Sequence, residues 1–203
     1  MVTNRDSPKG RTGCTSTAGR RRFLSAGLTF LAANIGVPRL FAAVPSSVTP
    51  EGQVMIEKFS AAGKSEGVVS VAKVVKTDAE WRSQLSASAY QVSRQAGTEA
   101  PYSGEYERNH ADGIYHCICC DTALFDSRTK FESGTGWPSF WRPISARNVV
   151  KSSDTSLWMQ RDAISCRLCD AHLGHVFADG PPPTGLRYCM NSVALHFTPR
   201  GSV

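Results

Sequence analysis

Seven cysteines in 203 residues carry the most specific chemical signal in this chain. Cys117-Ile-Cys-Cys120 and Cys166-Arg-Leu-Cys169 are two C-x-x-C knuckles with 45 residues between them. A tight turn lets two thiolates separated by two residues face one ion, and two such turns complete a tetrahedral four-sulfur site. That reading makes Cys117, Cys120, Cys166 and Cys169 the ligands of one structural Zn2+. The gap is longer than in a zinc finger, so the clamp joins distant parts of one domain. Two other readings fit the same residues: disulfides among the mature cysteines, or a redox-active C-x-x-C pair.

Cys14 lies in the N-terminal leader, which leaves Cys119 and Cys189. Cys189 sits in Arg187-Tyr-Cys-Met-Asn191, where period-two spacing puts Arg187 and Asn191 on its strand face. A cation and a carboxamide there favour the thiolate, which is the nucleophilic form. His172 and His175 follow the second knuckle, so a metal site would fix their position. Gly134-Thr-Gly-Trp-Pro-Ser-Phe140 is a tight turn that presents Trp137. Taken singly, each of these residues also has an ordinary structural explanation.

The elements that must hold these groups follow from capping and periodicity. Thr77-Asp-Ala-Glu80 is a capping box heading a helix with Trp81 and Leu85 on one face. A second helix is expected over Ala87 to Gln95, ending at Gly97. Beyond Pro101, short β-type runs alternate with Gly, Pro, Asp and Asn: 114–117, 123–125, 148–151, 156–161, 175–178, 187–190 and 194–198. That spacing predicts an antiparallel, mainly β domain rather than a βαβ fold. Residues 44–73 read as a linker, although Val68 to Val75 could add an edge strand.

Charge locates a separate N-terminal unit. The net +6 arises in residues 1–43, which hold seven bases and one acid; residues 44–203 hold sixteen of each. Arg20-Arg21-Arg22-Phe23-Leu24, a weakly apolar stretch to Val37 and Ala42-Ala43 follow the order of an export leader. The arginines followed by Phe-Leu resemble the twin-arginine signal. The expectation is a cleaved leader over 1–43, a periplasmic mature chain and no membrane insertion after cleavage. A packed N-terminal helix or a retained anchor are the alternatives, although Phe23 to Val37 is short for a span. A neutral mature domain gives no footing for nucleic acid.

Four segments in order carry a family resemblance: Tyr115-His-Cys-Ile-Cys-Cys-Asp-Thr-Ala-Leu-Phe125, Lys130-Phe-Glu-Ser-Gly-Thr-Gly-Trp-Pro-Ser-Phe140, Asp170-Ala-His-Leu-Gly-His-Val-Phe177 and Arg187-Tyr-Cys-Met-Asn-Ser192. Together they resemble methionine sulfoxide reductase B, over about residues 74–200. The resemblance implies two antiparallel sheets forming a compact barrel- or sandwich-like domain with short N-terminal helices and a structural zinc. It implies a monomeric oxidoreductase that acts on methionine-R-sulfoxide, free or in oxidised proteins. Cys189 is then the nucleophile and passes through a sulfenic acid. His172 and His175 match the acid and water-positioning residues, Asn191 and Arg187 hold the S–O group, and Trp137 with Phe177 packs on the methyl group. A thioredoxin-like or other thiol reductant regenerates the enzyme.

Two positions depart from the family pattern. Thr135 stands where many members carry a resolving cysteine, which leaves direct reduction by an external thiol, or Cys119 as resolver. Ala163 stands where many members carry Glu, and Asp162 beside it faces the other side of a strand. Two other function classes use the same cysteines: a zinc-ribbon binding module, and a Cys-His hydrolase built on Cys189. The first predicts a basic domain and the second gives no reason for the His pair and the Trp turn.

Overall fold

The structure is a computed structural model, and it describes residues 52–154 and 161–201. The leader at 1–43 and most of the strand expected over 156–161 lie outside the described residues. Eleven strands and two short helices form three antiparallel sheets among the described residues.

The segment expected to be a linker contains a β-hairpin, β1 (Gln53–Phe59) paired with β2 (Ser65–Ala72). One face of it is solvated, so only a faint period-two pattern marks it in the sequence. Asn148, fully buried, fastens the hairpin to the domain. Its Nδ2 donates to the carbonyls of Glu57 and Ala123 at 2.8 Å each, and its Oδ1 accepts from the Glu57 N–H at 2.8 Å. One side chain thereby bonds three backbone groups from two distant segments.

Helix α1 (Asp78–Gln84) has the expected capping box, with Thr77 and Glu80 bonding reciprocally. Helix α2 (Ala87–Gln95) starts at Ser86, whose hydroxyl accepts from the Ala89 N–H. The left-handed cap is Ala96 rather than Gly97. Trp81, buried on α1, receives the Arg94 guanidinium of α2 at 4.7 Å from its ring centre.

Three strands form one sheet in the order β11 (Leu195–Pro199), β3 (Gly113–Cys117), β4 (Ala123–Asp126). Six form the other, in the order β5 (Lys130–Phe131), β6 (Ser139–Phe140), β10 (Arg187–Met190), β9 (His172–Phe177), β8 (Arg161–Cys166), β7 (Val149–Asp154). Strands β5 and β6 have two residues each, too short for periodicity to reveal. The core lies between these two sheets. Phe125 of β4 stacks on Phe140 of β6 at 4.5 Å, and Tyr115 of β3 meets Phe140 edge-on at 5.1 Å. All three rings are fully buried, and each such pair adds about 0.5–1.5 kcal/mol beyond its buried area. The sheets remain separate, so the fold is sandwich-like and not a closed barrel, with the hairpin as a third sheet.

Candidate active site and metal centre

The two knuckles fold identically. In each, the residue after the second cysteine is an aspartate in the left-handed region, Asp121 at φ 63° and Asp170 at φ 58°. Its N–H donates to the carbonyl of the first cysteine at 2.9 Å, from Asp121 to Cys117 and from Asp170 to Cys166. Aspartate is among the few residues that take this conformation readily. The helices brace both turns: Gln84 Nε2 donates to the Cys119 carbonyl at 2.8 Å, and Arg94 Nη1 to the Cys169 carbonyl at 2.7 Å.

This arrangement brings Cys117, Cys120, Cys166 and Cys169 together, with their sulfurs within 4.8 Å of one another. Across the knuckles, Cys117 and Cys169 lie 3.6 Å apart and Cys120 and Cys166 lie 3.5 Å apart. Disulfide sulfurs would be about 2.05 Å apart, so these pairs are not bonded. Sulfurs at about 2.3 Å from a shared tetrahedral ion are about 3.8 Å from each other. The four thiols therefore fit one metal ion.

Cys189 lies on the six-stranded sheet. Cross-strand register puts Ser139, Cys189, His175 and Ala163 directly opposite one another along β6, β10, β9 and β8. Opposed residues share a face, so the thiol and the His175 imidazole project to the same side. They line a cleft of about 190 Å³ with Thr98, Trp137, Gly174, Phe177 and Asn191. Two aromatic rings give this small cleft an apolar wall beside the thiol.

Backbone conformation shapes the floor and wall of this cleft. Gly174 has φ 155°, and a Cβ there would lie 2.1 Å from the Cys189 carbonyl oxygen. Gly136 has φ 90°, and a Cβ there would lie 2.8 Å from both Pro101 Cβ and the Tyr102 nitrogen. That close approach lets the Gly136 carbonyl accept from the Tyr102 N–H at 2.7 Å. Trp137 Nε1 donates to the Glu99 carbonyl at 3.2 Å, which sets the indole against the cleft.

Arg187 acts on the Cys189 thiol in the expected direction, and burial opposes it. Burial pushes the thiol above its ordinary range, outweighing the hydroxyls of Thr135 and Ser139 and the Arg187 guanidinium, all of which pull it down. Arg187 is oriented by a bidentate pair with Asp179, at 2.9 and 2.8 Å, and its guanidinium lies 4.4 Å from the Phe177 ring centre. Asn191 lines the cleft, but its polar atoms serve the backbone. Nδ2 donates to the Leu173 carbonyl at 3.0 Å, and Oδ1 accepts from the Glu99 N–H at 3.0 Å. Asn191 lines the same cleft as Cys189; its hydrogen-bond partners, remote in sequence, could not be read from spacing.

The two histidines differ. His175 lines the cleft, whereas His172 does not and meets the His175 ring edge-on at 5.2 Å between ring centres. Ala163 is the cross-strand partner of His175, so a Glu in relatives would stand beside that imidazole. Asp162 instead pairs with Lys151 at 2.7 Å.

Thr135 Oγ1 lies 3.8 Å from Cys189 Sγ. Its hydroxyl continues to Ser133 at 2.8 Å and from there to Ser139 at 2.7 Å, a chain of hydroxyls that sequence spacing does not reveal. Cys119 is buried elsewhere, with its sulfur 3.4 Å from the Ser93 hydroxyl of α2, and it does not line the cleft.

Comparison with known proteins agrees with this geometry. The family model described as SelR domain matches residues 85–199. The chain is 58% identical over 128 residues to "Peptide methionine sulfoxide reductase MsrB" of Pseudomonas entomophila (strain L48), covering 63% of this chain and 98% of that protein. Proteins of the same name from Pseudomonas putida (strain W619) and Pseudomonas syringae pv. syringae (strain B728a) are 58% and 57% identical over 128 residues, covering 63% of this chain and 96% and 98% of theirs. The matched stretch contains both knuckles, the Trp turn, the His pair and the strand that bears Cys189. The chain belongs to the SelR domain family.

Proposed function

We propose that the chain reduces methionine sulfoxide to methionine, acting on the R epimer, free or within oxidised proteins. The observation that carries this reading is the placement of Cys189 opposite His175 in a small cleft walled by Trp137 and Phe177. The substrate methyl group packs between the rings while its sulfur faces the thiol. The Cys189 thiolate attacks that sulfur and forms an S–S bond as the S–O bond breaks, and the oxygen takes a proton and leaves as hydroxide. Hydroxide then attacks Cys189 Sγ, the S–S bond breaks, methionine departs and Cys189 is left as a sulfenic acid. His175 supplies the proton, because it is the imidazole on the cleft side. His172 positions His175, and Arg187 lowers the cost of the anion.

Two equivalents of an external thiol, or one thioredoxin-like dithiol, then return Cys189 to the thiol and release disulfide and water. Thr135 at the place next to the sulfur supports this direct route, because it offers no thiol there. Cys119 as resolver would require leaving its buried place beside α2.

The metal held by the four cysteines is read as zinc, a structural ion that ties β3 and β4 to β8 and β9. Its donors are four thiolates, the set zinc favours in closed structural sites. Residues 1–43 are read as a twin-arginine export leader that is cleaved to release a monomeric periplasmic enzyme. Their basic charge and residue order support this.

The test is dithiothreitol-dependent loss of methionine-R-sulfoxide, measured beside the S epimer. Wild type should consume the R epimer and spare the S epimer, and Cys189→Ser should consume neither. Full rate in Cys189→Ser would overturn the reading.

A further inference from the structure

We propose that His116, Asp121 and His196 form a second site, facing solvent, for a divalent transition-metal ion. His116 of β3 and His196 of β11 are direct cross-strand partners. Their neighbours Tyr115 and Cys117 are buried in the core, so period two turns the imidazoles outward. The two rings stack at 5.0 Å with 14° between their planes.

Asp121 closes the set from the first knuckle. Its carboxylate reaches the edges of both rings, with Oδ1 2.6 Å from His196 Nε2 and 3.5 Å from His116 Nδ1. One ligand atom from each residue lies within 4.8 Å of the other two. Donors bound to one ion at about 2.0–2.2 Å stand about 3 Å apart, so small side-chain rotations suffice. Two imidazoles and a carboxylate suit borderline ions such as Ni2+ and Zn2+ rather than Mg2+ or Ca2+.

The equivalent position in the other knuckle shows that the fold does not itself demand this arrangement. Asp170 has the same backbone and pairs with a single lysine, Lys73, at 2.7 Å. Asp121 instead meets two imidazoles, with His116 Nδ1 3.1 Å from its backbone carbonyl and 3.5 Å from Oδ1, and His196 Nε2 2.6 Å from Oδ1. Side-chain exposure of 37% at His196 and 75% at Asp121 leaves room for water or another ligand to complete the coordination. A groove of about 300 Å³ that includes Glu66, His116 and Asp121 opens there. The knuckle turn fixes Asp121 and the β3–β11 pairing fixes both histidines, so the donors are preorganised. An ion held here staples the last strand to the knuckle and stabilises the fold by mass action.

Calorimetric titration with Ni2+ tests this on the full chain already loaded with one zinc, comparing wild type, His196→Asn and Asp121→Asn. Asn keeps the left-handed turn at position 121, and retained zinc shows that each variant is folded. Wild type should bind one more Ni2+ per chain than either variant, and Ni2+ should raise the Tm of wild type by more than that of the variants. Equal Ni2+ stoichiometry in wild type and both variants would overturn the proposal. The readout does not involve sulfoxide reduction, so failure of either reading leaves the other testable.

Discussion

Thr135 Oγ1 lies 3.8 Å from Cys189 Sγ, so the residue that would resolve a sulfenic acid is in place but cannot form a disulfide. A thiol at the same position needs only a side-chain rotation to come within bonding distance of Cys189. Thr135→Cys should therefore convert the enzyme to an internal-disulfide route. After one turnover without reductant, peptide mapping should find positions 135 and 189 joined, whereas wild type shows no such link.

Arg187 pulls the Cys189 thiol down while burial pushes it up, and burial wins. The thiolate population, and with it the rate, should still be rising with pH above the ordinary range of a cysteine. Arg187→Met removes the lowering influence, so the midpoint for alkylation of Cys189 by iodoacetamide should move to still higher pH. An unchanged or lower midpoint would show that the guanidinium does not act on the sulfur.

The histidines should separate by role. His175→Asn removes the proton donor on the cleft side and should lower kcat by about 100-fold or more. His172→Asn removes a positioning ring edge-on to it and should cost less. Steady-state kinetics of the two variants against the R epimer checks the order.

The four-sulfur clamp was legible because it depends on residue type at short spacing, whereas Trp137, His175 and Cys189 are far apart in sequence and only the family resemblance joined them. Helix α1 was legible through its capping box, which the structure reproduces. The hairpin β1–β2 was legible only in the edge strand read over Val68 to Val75, since the anchor that holds it is Asn148, 91 residues from Glu57. The lowering influence of Arg187 on the Cys189 thiol was legible, whereas the burial that outweighs it was not. Neighbouring charge can be read from a strand pattern, but burial between elements cannot. Asn191 lines the same cleft as Cys189, yet partners 18 and 92 residues away turned its amide to structural use.

Gly174 is the most sharply constrained position in the cleft, with the Cys189 carbonyl 2.1 Å from where a Cβ would lie. Gly174→Ala should force β9 away from β10, cost about 1–3 kcal/mol in denaturant unfolding, and separate His175 from Cys189. Activity should fall further than stability alone explains.

Removing the metal should loosen the scaffold before it touches the chemistry. Cys166→Ser breaks the four-sulfur set and should cost about 3 kcal/mol or more, lowering Tm by roughly 6–12 °C. Metal analysis and a thermal scan of wild type and variant check this together.

The most direct test of the central claim is a single turnover with methionine-R-sulfoxide in the absence of any thiol, followed by dimedone trapping and peptide mass spectrometry. The account predicts one methionine released per chain, the dimedone adduct on Cys189, and Cys119 still a free thiol. A Cys119–Cys189 disulfide, or methionine released with Cys189 unmodified, would contradict it.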